Sequence, residues 1–266
     1  MKRLLVAFFS IICPAFSFGQ ILNLDRTVEV DSTEHKKYAA VIGASFNTLQ
    51  QTYSFVDESI SYDFTRYMPK NYILVLSGKS NLTTSGSSVI QNLGYIHLRF
   101  RDNDTRHVSA EPFTQYQWNA TLGLVQRYLL GCNMRIQLLN NTKADIYYGV
   151  GLMFENEEWN YAGVTDLSKL PANLDPITNN FYKTNQYVKA SISINDHCDL
   201  VSAVFLQNKI DDIIRSYRLS NYTTFNIRIS KKFYFAVSAD ISYDNNPVVP
   251  INNTIYSLAS TLSVRL

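Results

Sequence analysis

From Phe55 onward the chain alternates. Val56, Ile60, Tyr62 and Phe64 share one parity, while Asp57, Ser59, Ser61, Asp63 and Thr65 share the other. Period two belongs to a strand with one apolar and one polar face, and the pattern recurs to the last residue. Strands are predicted at 38–50, 53–66, 71–83, 88–101, 106–119, 121–139, 143–157, 184–195, 198–208, 213–229, 232–244 and 254–266. Twelve is an even number, as a single-chain bacterial barrel requires.

Two architectures share this period, and the polar face separates them. A soluble barrel fills its interior with apolar side chains, whereas a porin-like barrel turns polar residues inward and apolar ones to lipid. Polar residues hold one face throughout, so the sequence predicts an all-β fold: an antiparallel transmembrane β-barrel of the outer-membrane type. No apolar run after the N-terminus reaches about 18 residues, the length a membrane-spanning helix needs. Trp118, Trp159 and many of the 18 Tyr near strand ends suit interfacial girdles.

Connection lengths agree. Those at 67–70, 102–105, 140–142, 196–197 and 230–231 follow even-numbered strands and are short. The two long ones, 158–183 and 245–253, follow odd-numbered strands. With the N-terminus periplasmic, this gives short periplasmic turns and long outer loops.

The N-terminus reads as an export signal over 1–19: Lys2 and Arg3, an apolar core from Leu4 to Ile12, then Ser17-Phe18-Gly19 at cleavage spacing. Residues 20–36 form an N-terminal periplasmic segment and 37–266 the barrel. Two of the 24 Lys and Arg lie in the signal, leaving 22 against 22 Asp and Glu. This balance gives no basic excess for nucleic acid. The final strand ends on Tyr256, Leu258, Leu262, Val264 and Leu266 at one parity, resembling the C-terminal strand that outer-membrane assembly machinery reads. The partners expected are that machinery and outer-membrane lipid, with small solutes open.

Demanding that apolar faces coincide sets a register for the central hairpins. It places His97 opposite Glu111, Gln115 opposite Arg127 and Arg127 opposite Glu155. The expected result is a lumen charge cluster of His97, Arg99, Glu111, Gln115, Arg127, Arg135 and Glu155. Gly131, Gly149 and Gly151 give the long side chains room. Opposite charges on neighbouring strands stabilise pairing, so the cluster reads first as a plug bracing the wall, with a solute-selective pore lining and catalysis as alternatives.

Glu111-Pro112-Phe113-Thr114-Gln115-Tyr116-Gln117-Trp118-Asn119, Arg127 to Arg135 and Gly149-Val150-Gly151-Leu152-Met153-Phe154-Glu155 resemble the core of a family of salt-induced outer-membrane proteins, classed as a domain of unknown function (number 481). Phe205-Leu206-Gln207 and Tyr243-Asp244-Asn245-Asn246-Pro247 resemble its later motifs. The resemblance implies an outer-membrane barrel and no established activity.

Other signals are short. His107 and Ser109 lie two apart, on one face of a strand, as in outer-membrane phospholipases, and Asn119 is available as a third polar residue. The glycine-containing loop that follows the serine in those enzymes is missing. Asp102-Asn103-Asp104 lacks the Gly and closing Glu of a calcium loop and reads as a turn. Gly149-Val150-Gly151 lacks the third Gly of a dinucleotide site. No cofactor or metal is called for. Cys132, facing lipid, and Cys198, in a turn, are expected to be free thiols.

Overall fold

The structure, a computed structural model, describes residues 37–50, 54–69, 72–102 and 107–265. The expected signal, the segment 20–36, Asn103, Asp104 and Leu266 lie outside the described residues.

Twelve strands form one closed antiparallel barrel in sequence order, β12 returning to β1. They are β1 Tyr38–Gln50, β2 Ser54–Met68, β3 Tyr72–Ser85, β4 Ser88–Asp102, β5 Val108–Asn119, β6 Leu124–Asn140, β7 Ala144–Trp159, β8 Ile177–Asn195, β9 Cys198–Lys209, β10 Tyr217–Arg228, β11 Phe233–Asp244 and β12 Thr254–Arg265. The apolar parity is outside: Ile42, Ile60, Leu130, Leu152, Val204 and Leu258 are exposed, while Ser61, Asp63, Ser77, Asn133, Asn185 and Ser238 are buried within. Closure removes every sheet edge that the wall's hydrogen bonds reach, the condition for strands to span lipid.

Aromatic pairs ring the outer face at both ends. Tyr38–Phe64 and Tyr72–Phe100 lie toward the end carrying the termini, with ring centroids 5.8 and 5.1 Å apart, and Tyr116–Trp118 and Tyr217–Tyr243 toward the other. Trp159 is not in this girdle. Its odd parity turns it inward, where it is buried at the mouth of the lumen.

Strand β8 starts seven residues earlier than expected, so the connection after Trp159 is shorter, running over 160–176. The early residues of β8 carry no alternation. Thr178 and Asn180 pair on the outer face with Glu158 and Asn156, and Asn156 Nδ2 donates to Asn180 Oδ1 at 2.9 Å. A polar outer face here means that this hairpin rises beyond the hydrocarbon, where the two-residue pattern has no reason to persist. β10 starts at Tyr217 rather than 213, because the Ser216 N–H donates to the Asp212 carbonyl and closes a turn there. Cys198 opens β9 instead of sitting in a turn; both cysteines are free, and Cys132 is exposed on the outer face.

The β5–β6 turn needs its glycine. Gly123 has φ +82°, the left-handed region, and a Cβ there would meet the Asn160 carbonyl oxygen at 2.3 Å. The Asn160 N–H donates to the Gly123 carbonyl at 2.8 Å, tying this turn to the start of the long loop 160–176. That loop and 245–253 fold over the barrel mouth: Val164 and Val249 are buried with Leu124 and Trp159, and Leu170, Val248 and Ile251 pack around them. Within the same loop, Asp166 accepts from the hydroxyl and the N–H of Ser168, which holds its carboxyl below the usual carboxylate value.

Candidate functional site in the barrel lumen

The structure buries all seven residues of the expected cluster inside the barrel, but with different partners. His97 faces Gln115, not Glu111. Gln115 faces Leu129, not Arg127, which instead has Gln117 across from it. On the next strand Arg127 faces Glu157, and Glu155 faces Leu129. Each correction is an even number of residues. Matching apolar faces constrains parity only, so slips of two or four keep every side chain on its side. The turns decide among them, and the β4–β5 and β5–β6 turns are wider than assumed, with β5 starting at Val108 and a 3₁₀ turn at Ala120–Leu122.

Two tiers of polar contacts result. Nearer the long loops, β6, β7, β8, β10 and β11 contribute three cations and three carboxylates. The Nε and Nη2 of Arg127 both donate to Glu157 Oε2, at 3.1 and 2.7 Å. Lys183 Nζ donates to Glu155 Oε1 at 2.5 Å. Arg127 Nε lies 3.8 Å from Glu155 Oε1, and Arg218 Nη1 lies 3.7 Å from Glu155 Oε2. Arg218 also donates through Nε and Nη2 to Asp244 Oδ2, at 3.0 and 2.8 Å. Glu155 is fully buried, at 0% exposure, and joins β6, β8 and β10 through β7. Trp159 closes this tier from above, its ring centroid 5.6 Å from the Arg127 guanidinium carbon.

Nearer the termini, Glu111 accepts from Arg99 Nη1 at 3.3 Å and from the Tyr187 hydroxyl at 2.5 Å. On the long-loop side of Phe113, His97 Nδ1 meets Gln115 Oε1 at 3.0 Å, and Gln115 Nε2 donates to Gln117 Oε1 at 3.2 Å, with Gln117 across from Arg127. Arg135 stacks on Tyr147, 3.4 Å from the ring centroid. Along β5, β6 and β7 an apolar layer falls between the tiers: Phe113, Leu129 and Met153 pack with Tyr187, Ala203 and Phe205. Tyr187 reaches Glu111 by lying flat over Gly149, where a Cβ would come within 2.0 Å of the ring.

Glu157, Lys183, Tyr187, Arg218 and Asp244 were not anticipated. Glu157 shares the parity of Glu155, which could have found it. Lys183 fell inside the segment read as loop, and Arg218 acts on Glu155 from three strands away, a contact across the lumen that pairing rules do not reach.

On the opposite wall, β10, β11, β12, β1 and β2 carry mainly hydroxyls and amides. A cavity of about 40 Å³ there is lined by Ser61, Thr224, Asn226, Ser238, Thr261 and Ser263, among others, with room for a few waters. His107 and Ser109 do not build a hydrolytic site with Asn119. His107 is exposed at the strand end, and Asn119 lies ten residues from Ser109 on β5, roughly 33 Å away at strand rise. Among the described residues no group of three or more His, Cys, Asp or Glu is placed to hold a metal ion.

The family described as "Protein of unknown function, DUF481" matches residues 40–263, nearly the whole barrel. The chain belongs to this family. No curated protein matches this DUF481 chain. Among solved structures it is similar to the NanC porin, at 12% identity and TM-score 0.46, covering 85% of this chain and 96% of that one. It is similar also to the translocator domain of the autotransporter NalP from Neisseria meningitidis, at 8% identity and TM-score 0.47, covering 88% and 89%. A third similarity, to the KdgM porin, has 8% identity and TM-score 0.39, covering 86% and 97%. These likenesses concern the barrel fold alone.

Proposed function

We propose that this DUF481 protein is an outer-membrane barrel whose lumen is held shut by a permanent ion-pair brace, serving the envelope as a structural element rather than as an open porin. One observation carries the reading: the fully buried carboxylate of Glu155 is shared by Arg127, Lys183 and Arg218 from three other strands. A charge buried this deeply is tolerated only while its partners stay in place, so the side chains that would move aside in a pore are the ones least free to do so. The apolar cluster that Val164 and Val249 form over Trp159 covers the same tier from the loop side. Placement in the outer membrane is supported by the apolar exterior, the aromatic pairs at both ends and the short turns opposite long loops. The C-terminal strand carries Tyr256, Leu258 and Leu262 outward, as engagement by assembly machinery would require.

Planar-bilayer recording tests the brace. The wild-type barrel should give no steady current. Steady wild-type channels, with an ion selectivity that changes when Arg127 or Glu155 is neutralised, would make the cluster a pore lining and sink the brace.

A further inference from the structure

None of the residues lining the hydroxyl-rich cavity belongs to the brace. The cavity lies nearer the termini, between β1, β2, β10, β11 and β12, and Gly43 on β1 lets its walls come together. A Cβ at that position would meet Ser61 Oγ and Thr261 Cγ2 at 2.7 Å and Ser263 Oγ at 2.9 Å. Without one, side chains from β2 and β12 converge over the β1 backbone. Val41, Ala236 and Ser263 are only half-buried, so the pocket opens to the lumen. Its volume of about 40 Å³ holds about three waters.

Several polar groups of the lining are uncommitted. Asn226 Nδ2 donates to Asp199 Oδ2 at 2.6 Å, which fixes the amide and leaves its Oδ1 to the cavity. Among the described residues no hydrogen-bond partner reaches the hydroxyls of Thr261 and Ser263, and Ser61 Oγ has only a long bond to the Gly43 carbonyl, at 3.5 Å. Thr224 and Ser238, by contrast, hold each other at 3.0 Å. A hydroxyl can donate or accept, so this wall suits a ligand whose own groups do both. Val41, Ala236 and Tyr234 supply an apolar side. Charge does not select the ligand. Among the described residues that line the pocket Asp63 alone is charged. Asp199 and Asp240 stand nearby, bound to Asn226 and Ser257. Lys79 is opposite Ser61, Arg228 opposite Tyr234 and Arg265 opposite Val41, so the carboxylates are matched in number.

We propose that this pocket binds a small uncharged polyol. Its hydroxyls meet Ser61, Asn226, Thr261 and Ser263, its carbon face lies on Val41, Ala236 and Tyr234, and it enters from the end of the barrel that carries the termini. The balanced surround offers an ion no net field, whereas paired donors and acceptors beside an apolar side match the two edges of a polyol. The inference needs the closed barrel and does not depend on the brace.

The test uses the full chain, purified without glycerol in detergent micelles, with glycerol as the probe and saturation transfer from protein to ligand read by NMR. Glycerol should receive saturation, and glycerol phosphate and choline several-fold less. Thr261→Val keeps the side-chain shape and removes a hydroxyl, so apparent affinity should fall roughly three- to tenfold, the worth of one hydrogen bond. Ala236→Leu fills the pocket and should abolish the transfer. Migration before and after boiling checks that this variant is folded, and if it is not, Thr261→Val alone decides. Leu130→Ala, on the outer face, should leave the affinity unchanged. No transfer to glycerol in the wild type would mean that waters alone occupy the pocket, and overturns the proposal. Transfer that Thr261→Val leaves unchanged, or stronger transfer to glycerol phosphate or choline, overturns it as well. A steady current in planar bilayers would sink the brace and leave this result standing, so the two readings fail separately.

Discussion

Glu155 concentrates the energetics of the lumen on one side chain. Its carboxylate has Lys183 at 2.5 Å and two guanidinium groups within 4 Å, all in a site closed to solvent. Neutralising it leaves buried cations short of a partner, a loss of about 3–5 kcal/mol. Urea unfolding of Glu155→Gln from lipid vesicles should show a destabilisation of that size. A loss of about 1 kcal/mol or less, the worth of an exposed ion pair, would mean that the tier is solvated and the brace is not structural. At this scale the sequence was informative about identity and side but not about partners. Parity alone placed Glu155, Arg127 and Glu111 inside, because a strand's two faces are an all-or-none choice. That Arg218 rather than a neighbour completes the Glu155 site depends on the lumen's width and curvature, which no local pattern encodes.

Hairpin register is the property of the element scale, and here the wall can be checked with cysteines. In a background lacking Cys132 and Cys198, His97→Cys with Gln115→Cys should form a disulfide, since directly opposed antiparallel residues have Cα atoms about 4.5–5.5 Å apart. His97→Cys with Glu111→Cys should not, because four residues along a strand add roughly 13 Å, beyond the reach of about 7 Å that a disulfide tolerates. The reverse outcome on non-reducing gels would restore the narrower turn. The strands themselves were legible wherever they cross hydrocarbon. They became illegible in the first seven residues of β8, where Thr178 and Asn180 make the outer face polar while Ile177 and Phe181 lie on the inner one, and at the turns, where Gly123 and the 3₁₀ segment Ala120–Leu122 widen the loop without leaving a periodic mark.

For the whole molecule, closure of twelve strands into one hydrogen-bonded ring implies a compact unit that detergent alone does not open. An unheated sample in sodium dodecyl sulfate should migrate differently from a boiled one, and Glu155→Gln should lower the temperature at which the two forms interconvert. Identical migration before and after boiling would count against a closed barrel. The short β1–β12 seam is the place where such opening would begin, since among the described residues it has the fewest ladder pairs to break.

The sequence by itself determined the strand count, the inward and outward faces, and the side of the barrel that carries the long loops. Each is written in a short-range period or in a connection length. Only the tertiary structure decided which charges share a carboxylate, that Phe113, Leu129, Met153 and Phe205 put an apolar layer into a polar lumen, that two loops turn inward over Trp159, and that among the described residues β1 and β12 close the ring through four pairs. All four depend on how the sheet curves and where its ends meet, and curvature brings together residues that stand far apart along the chain.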